Sequence, residues 1–155
     1  YALESVTVPE GVVEIGTAAF YDCTALNTVS LPSMLESVEE AAFAKCSSLA
    51  QFDLSDTSLV TLGDSAFVSC TELKKMTLPE TLEIIGYQAF YGCTKLYDIN
   101  IPDGVTNIGA FALNLTPWYE ETADDYKIVG DGVLIKCNVS ADTLDLSGKG
   151  IKQQR

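Results

Sequence analysis

The stretch "LKKMTLPETLEIIGYQAFYGCTKL", residues 73–96, carries one complete unit of the pattern that decides the fold. It opens on Leu73, alternates through Met76 and Leu78, stops at Pro79 and closes on A-F-x-x-C before the next leucine, Leu96. Working outward, Cys93 has counterparts at Cys70, Cys46 and Cys23, each three residues after a phenylalanine (Phe90, Phe67, Phe43, Phe20), and every phenylalanine follows an alanine. The steps between these cysteines are 23, 24 and 23 residues. The openers are Leu3, Leu26, Leu49, Leu73 and Leu96, and proline follows the strand-like segment in four of five units, Ser55 standing there in the third.

The period-two segments "VTV", "VSL", "FDL", "MTL" and "INI" predict short strands with one face inward. Proline just beyond ends each strand because it has no N–H for the ladder. The A-F-x-x-C segment is too short for a free helix, so a single helical or 3₁₀ turn held by packing is expected on the opposite side. No unit of this size buries its apolar face alone, whereas stacked units share one core. The expected fold is an α/β repeat solenoid: a right-handed coil with a parallel β-sheet on its concave face and short helical or 3₁₀ turns on its convex side. Successive strands would be spaced by about 4.8 Å.

The fifth unit departs from the pattern. Its Ala110-Phe111 pair comes two residues early, which places Asn114 at the cysteine station. Beyond it, "YKIV" and "VLIK" flank Gly130-Asp131-Gly132, a hairpin signal. Leu144 and Leu146 then suggest a sixth strand. The expected organisation is one domain over residues 1–155, with repeats from 3, 26, 49, 73 and 96, a hairpin insertion over 115–140 and a partial repeat over 141–155. The first rung shows no polar cap and the sixth unit stops after Ile151, so a piece of a longer array is expected, or self-association through uncapped ends.

Composition excludes several functions. A formal charge of −13, with nine Lys and Arg residues, is wrong for tracking phosphate, which argues against nucleic acid and anionic membrane. Apolar runs fall far short of the roughly 20 residues that span a bilayer. The chain has no histidine, which removes Ser-His-Asp and Cys-His catalysis and histidine-based zinc sites. Paired carboxylates remain as enzyme chemistry, and no isolated pair stands out. No enzyme activity and no cofactor or metal is expected.

The leucine openers, the strand motif, the cysteine-or-asparagine station and the 23-residue period resemble leucine-rich repeats, and "IPDGVTNIGAFAL" and "LPETLEIIGYQAFYGCTKL" resemble the BspA-like class. That resemblance implies a secreted or surface-anchored bacterial protein, with related arrays in some parasitic protists, some members binding host extracellular proteins such as fibronectin or fibrinogen. No fixed set of binding residues travels with the motif. The function expected is therefore a non-enzymatic extracellular recognition or adhesion module with a protein or glycan ligand; the alternative is a structural spacer with no ligand of its own.

Three features are candidate sites. The cysteine ladder reads as small apolar filling at the corner of each turn, because metal sites need closely spaced pairs and these thiols come once per rung. Stacked in register, neighbouring thiols point alongside one another, which disfavours disulfides. Cys137 stands outside the ladder and is the thiol expected to react first. The outward strand face carries Gln51, Lys75 and Asp98 in one row and Asp53, Thr77 and Asn100 in the next, a surface for partners or an ordinary solvated face. In the insertion, "TPWYEETADDY" offers Trp118 and Tyr119 beside acids, either as a contact loop or as packing over the fifth rung; the order of an EF-hand is absent.

Overall fold

The computed structural model describes residues 2–121 and 126–137, with backbone only at Tyr126, Leu134, Lys136 and Cys137. It is a parallel-strand solenoid of about five turns. The expected sixth strand at Leu144 and Leu146 lies outside the described residues, as does the side chain of Cys137.

Each rung touches the next along three ladders. The first is formed by the alternating segments, β1 (Ser5–Thr7), β3 (Thr28–Ser30), β5 (Gln51–Asp53), β7 (Lys75–Thr77) and β9 (Asp98–Ile99), with Phe52, Met76 and Ile99 turned inward and their neighbours outward. Pairing is parallel and in register, Val6 beside Val29 and Met76 beside Ile99. It is also interrupted: β1–β3 and β5–β7–β9 are separate sheets. The second ladder is a continuous five-stranded parallel sheet of two-residue strands, β2 (Glu14–Ile15), β4 (Ser37–Val38), β6 (Thr61–Leu62), β8 (Ile84–Ile85) and β10 (Asn107–Ile108). Sequence patterning shows these only as apolar pairs, since two residues carry no period.

The third ladder replaces the expected helical turns. The A-F-x-x-C segments are chained turns in which Phe20 N–H donates to Ala42 O (2.7 Å), Phe43 N–H to Ala66 O (2.8 Å), Phe67 N–H to Ala89 O (2.8 Å) and Phe90 N–H to Ala112 O (2.7 Å). A helix would keep those donors within its own turn. Turning them along the stack requires left-handed residues, found before the alanine (Ala41 φ 54°, Ser65 φ 56°, Gln88 φ 53°) and before the cysteine (Lys45 φ 61°, Ser69 φ 59°, Gly92 φ 74°). Each non-glycine residue so placed costs roughly 1–2 kcal/mol, and the inter-rung bond it permits offsets that.

Between the ladders lies one core. Phe20, Phe43, Phe67 and Phe90 stack with ring centroids 5.0, 5.3 and 5.7 Å apart and interplanar angles of 8–12°. Leu26, Leu49, Leu73 and Leu96 are fully buried beside them. Where strands approach most closely only glycine fits: a Cβ on Gly86 would lie 2.6 Å from the backbone of Asp64, and one on Gly109 2.3 Å from Tyr87 N.

The fifth unit corrects the expected register. Gln88 N–H donates to Ala110 O (3.1 Å) and Gly92 N–H to Asn114 O (3.1 Å), so the ladder sets Ala112-Leu113 where Ala89-Phe90 stand, and Thr116 at the cysteine station. The 23-residue step is unbroken and the unit is not shortened. Leu113 is the buried plug, whereas Phe111 is 53% exposed with its ring edge-on to Tyr87. Ladder hydrogen bonds, not the A-F dipeptide, fix which side chain faces in.

After Thr116 the chain forms α1 (Pro117–Glu120) and the antiparallel pair β11 (Tyr126–Val129) and β12 (Val133–Cys137). Thr116 caps α1, its Oγ1 accepting from Tyr119 N–H, and Pro117 follows at the first position, where no intrahelical donor is needed. The pair seats on the fifth rung through Asp131 N–H to Val105 O (2.8 Å), with Val133 buried.

Candidate functional site

The corner cysteines are structural in geometry. Cys46, Cys70 and Cys93 are fully buried, and each Sγ donates to the phenylalanine carbonyl of the preceding rung, Phe20, Phe43 and Phe67, at 3.1–3.2 Å. Burial pushes the Cys46 thiol up to about 12, and the neighbouring Cys93 thiol together with burial raises Cys70 as well. A thiol held protonated is a poor nucleophile and a poor metal ligand. At the same station Thr116, fully buried, donates to Leu113 O at 2.6 Å.

Trp118 and Tyr119 are half-buried against the core. Trp118 N–H donates to Leu96 O (3.0 Å), and the Lys127 ammonium sits 3.3 Å from the centroid of its ring, donating also to Trp118 O (2.9 Å). Tyr119 Oη donates to Ile135 O (3.1 Å), and burial raises its hydroxyl above the ordinary range. The Trp118 backbone ties the insertion to the solenoid, while the two side chains pack against the core and bond within the insertion.

The first-ladder face is different. At the interruption between β3 and β5 it forms a cavity of about 310 Å³, lined by Asn27, Thr28, Val29, Gln51, Phe52, Asp53, Lys75 and Thr77. Four of the six residues singled out on this face, Gln51, Asp53, Lys75 and Thr77, meet here; Asp98 and Asn100 lie outside the lining. Asp98 Oδ2 is 3.6 Å from Lys75 Nζ, an exposed ion pair worth little in itself. Asn100 is committed to the backbone: its Nδ2 donates to Leu78 O (3.0 Å) and its Oδ1 accepts from Leu78 N–H (2.8 Å). Asp53 Oδ1 accepts the backbone N–H of Ser55 at 2.9 Å, and this bond is the chief cause of its lowered pKa. A proline at 55, as in the other units, would have no such N–H.

Asn27, Val29 and Phe52 also line the cavity, and strand alternation alone missed them: Asn27 precedes its strand, and Val29 and Phe52 are inward residues. Among the described residues no group of three or more His, Cys, Asp and Glu side chains is placed to hold a metal, and no helix is long and apolar enough to cross a membrane.

Stacked rungs of about 23 residues, with a parallel strand, a leucine opener and a turn in each, define a leucine-rich repeat solenoid. The chain belongs to the BspA type leucine-rich repeat family, whose model matches six copies over residues 1–116. It is similar to the crystal structure of the T. pallidum leucine-rich repeat protein TpLRR, with 29% identity over 72% of this chain and 67% of that one, and a TM-score of 0.54. A leucine-rich repeat protein from Bacteroides ovatus is 21% identical over 72% of this chain and 41% of its own, with a TM-score of 0.47. A leucine rich cell surface protein from Faecalibacterium prausnitzii is 20% identical over 68% and 49%, with a TM-score of 0.33. No curated protein matches the chain.

Proposed function

We propose that this chain is a non-enzymatic recognition module of a cell-surface or secreted protein, and that its ligand, an extracellular protein or glycan, meets the cavity on the first-ladder face. One observation carries the reading: Gln51, Asp53, Lys75 and Thr77, from two rungs, converge with Asn27 and Thr28 around a cavity, where a purely structural rung would present a closed strand face. Repeat arrays of this kind use such faces for partners, and membership of the family supports a surface location. The thiols of Cys46, Cys70 and Cys93 are engaged in corner hydrogen bonds, which supports a structural use of the cysteine ladder.

The test is surface capture of the purified chain against a panel of extracellular-matrix proteins and neutral glycans. A saturable partner whose binding falls at least tenfold in the Gln51→Ala/Thr77→Ala double variant supports the reading. Silence across the panel assigns the chain to a spacer role instead.

A further inference from the structure

Rungs two and three are joined along only two of the three ladders. On one side Ser37 pairs with Thr61 and Val38 with Leu62, and on another Ala41 N–H donates to Asp64 O (2.9 Å) and Lys45 N–H to Val68 O (2.9 Å). On the third side β3 and β5 are not hydrogen-bonded. Asn27 N–H reaches Glu4 O and Lys74 N–H reaches Ala50 O, both at 2.9 Å, but among the described residues no such bond reaches from Ala50 or Gln51 to Asn27 O. The core differs at this step: where β3, β7 and β9 turn in Val29, Met76 and Ile99, β5 turns in Phe52, whose ring stands edge-on to Phe43 (5.0 Å) and Phe67 (4.8 Å).

In parallel strands successive residues direct their N–H and C=O to opposite sides. Thr28 bonds toward the first rung, so Val29 and Leu31 face the slot, and Gln51 and Asp53 face it from the other wall. The slot therefore offers donors and acceptors together, which suits a group carrying one of each. The chain shows the geometry itself, since the Asn100 carboxamide pairs at once with the N–H and C=O of Leu78. Because the rungs are tied on two sides, the slot admits a pendant group and not a whole strand. The net charge of −13 and the pairing of Lys75 with Asp98 disfavour an anion. Around the slot, Asn27, Thr28, Gln51 and Thr77 suit hydroxyl groups, while Val29 and Phe52 provide an apolar floor for a methyl. The cavity, about 310 Å³, is at the small end of ligand pockets.

We propose that the slot between β3 and β5 is a subsite for the acetamido group of a neutral N-acetylhexosamine glycan. This rests on the recognition reading above and adds the ligand's chemistry and its place. The test titrates the ¹⁵N-labelled chain with tri-N-acetylchitotriose, and in parallel with cellotriose, which lacks the acetamido group, and with a Gly-Asn-Gly peptide. The expected result is saturable shifts of the Val29, Leu31, Gln51 and Asp53 amides with the acetylated trimer and none with cellotriose. Phe52→Met, which gives rung three the residue type of rung four, should close the ladder, slow hydrogen exchange at those amides and weaken the trimer at least tenfold. Gln51→Ala, on the exposed rim, should weaken it severalfold with the far-UV spectrum unchanged. Equal shifts with cellotriose, shifts with the peptide alone, or still amides in all three titrations overturn the proposal. Capture of a matrix protein with the slot amides unmoved overturns the slot and leaves the recognition reading standing, whereas silence in both experiments removes both.

Discussion

Truncating Leu113 and Phe111 separately tests the register of the fifth rung. The A-F dipeptide makes Phe111 the plug, whereas the ladder makes it Leu113, which is 2% exposed against 53% for Phe111. A buried leucine cut to alanine costs about 2–5 kcal/mol, depending on how far the site collapses. Leu113 continues a column of stacked phenylalanines held by backbone bonds on both sides of Ala112, so collapse is restricted and about 3 kcal/mol is expected. Phe111, half exposed, loses chiefly its edge contact with Tyr87, centroids 6.1 Å apart and worth about 0.5–1.5 kcal/mol beyond the area it covers. Its left-handed backbone, φ 60°, is equally strained in alanine and cancels.

With a urea slope of about 2 kcal/mol/M for a chain of this size, Leu113→Ala should lower the midpoint by roughly 1.5 M and Phe111→Ala by roughly 0.5 M. Far-UV circular dichroism follows the whole stack. The chain's single tryptophan, Trp118, which bonds to Leu96, follows the fifth rung through its fluorescence. Coincident transitions validate the comparison. A larger loss in Phe111→Ala than in Leu113→Ala would refute the register and restore Asn114 to the cysteine station.

Four further predictions use the same denaturation assay or simple chemistry. Gly86→Ala, whose Cβ would fall 2.6 Å from the backbone beneath, should cost about 2 kcal/mol or more, while Gly16→Ala, with nothing within 4 Å, should be neutral or stabilising by up to about 1 kcal/mol. Thr116→Val should cost about 1–2 kcal/mol, because Leu113 O loses its donor and Tyr119 N–H its cap, and Thr116→Ser should recover most of it. Among the ladder thiols, half-buried Cys23 should react with a thiol reagent in the native state, and Cys46, Cys70 and Cys93 only on unfolding. Since the Cys46 thiol is raised to about 12 from an ordinary value of 9.0, its contribution to stability is intact below pH 9 and lost as pH rises from 9 towards 12; urea midpoints measured across that window should fall.

Much of the fold was legible because a 23-residue recurrence of Leu, Phe and Cys leaves little choice but stacking. What escaped the sequence was governed by contacts between rungs. The two-residue strands exist only because an equivalent segment of the next rung lies beside them. The A-F-x-x-C segments look helical by their i, i+3 spacing, yet the donors of Phe43 and Phe67 are worth more to the next rung than to their own turn. Asn100 reads as a free surface amide, and its engagement with Leu78 follows from β9 being only two residues long, which leaves that backbone unpartnered by strand pairing. Alternation correctly put Gln51, Asp53, Lys75 and Thr77 on one face, but nothing in alternation says that this face is open between two of its strands.

In a stack held by three ladders, losing one of them at one step is tolerable, because each rung answers only to its neighbours. The second sheet and the turns carry rungs two and three together while the first ladder parts. The departures that part it gather in one unit. Phe52 takes the place of a smaller apolar residue, its ring edge-on to Phe43 and Phe67. Ser55 replaces proline and supplies the N–H that fixes the Asp53 carboxylate beside the slot. The same unit takes 24 residues from Leu49 to Leu73 where its neighbours take 23. Uniform rungs would give a closed and featureless face, so any specificity this solenoid has must come from where the repeat breaks. Reverting Phe52 and Ser55 together to the residue types of unit four is therefore expected to yield a chain of equal or greater stability whose first ladder runs unbroken and whose face has lost its cavity.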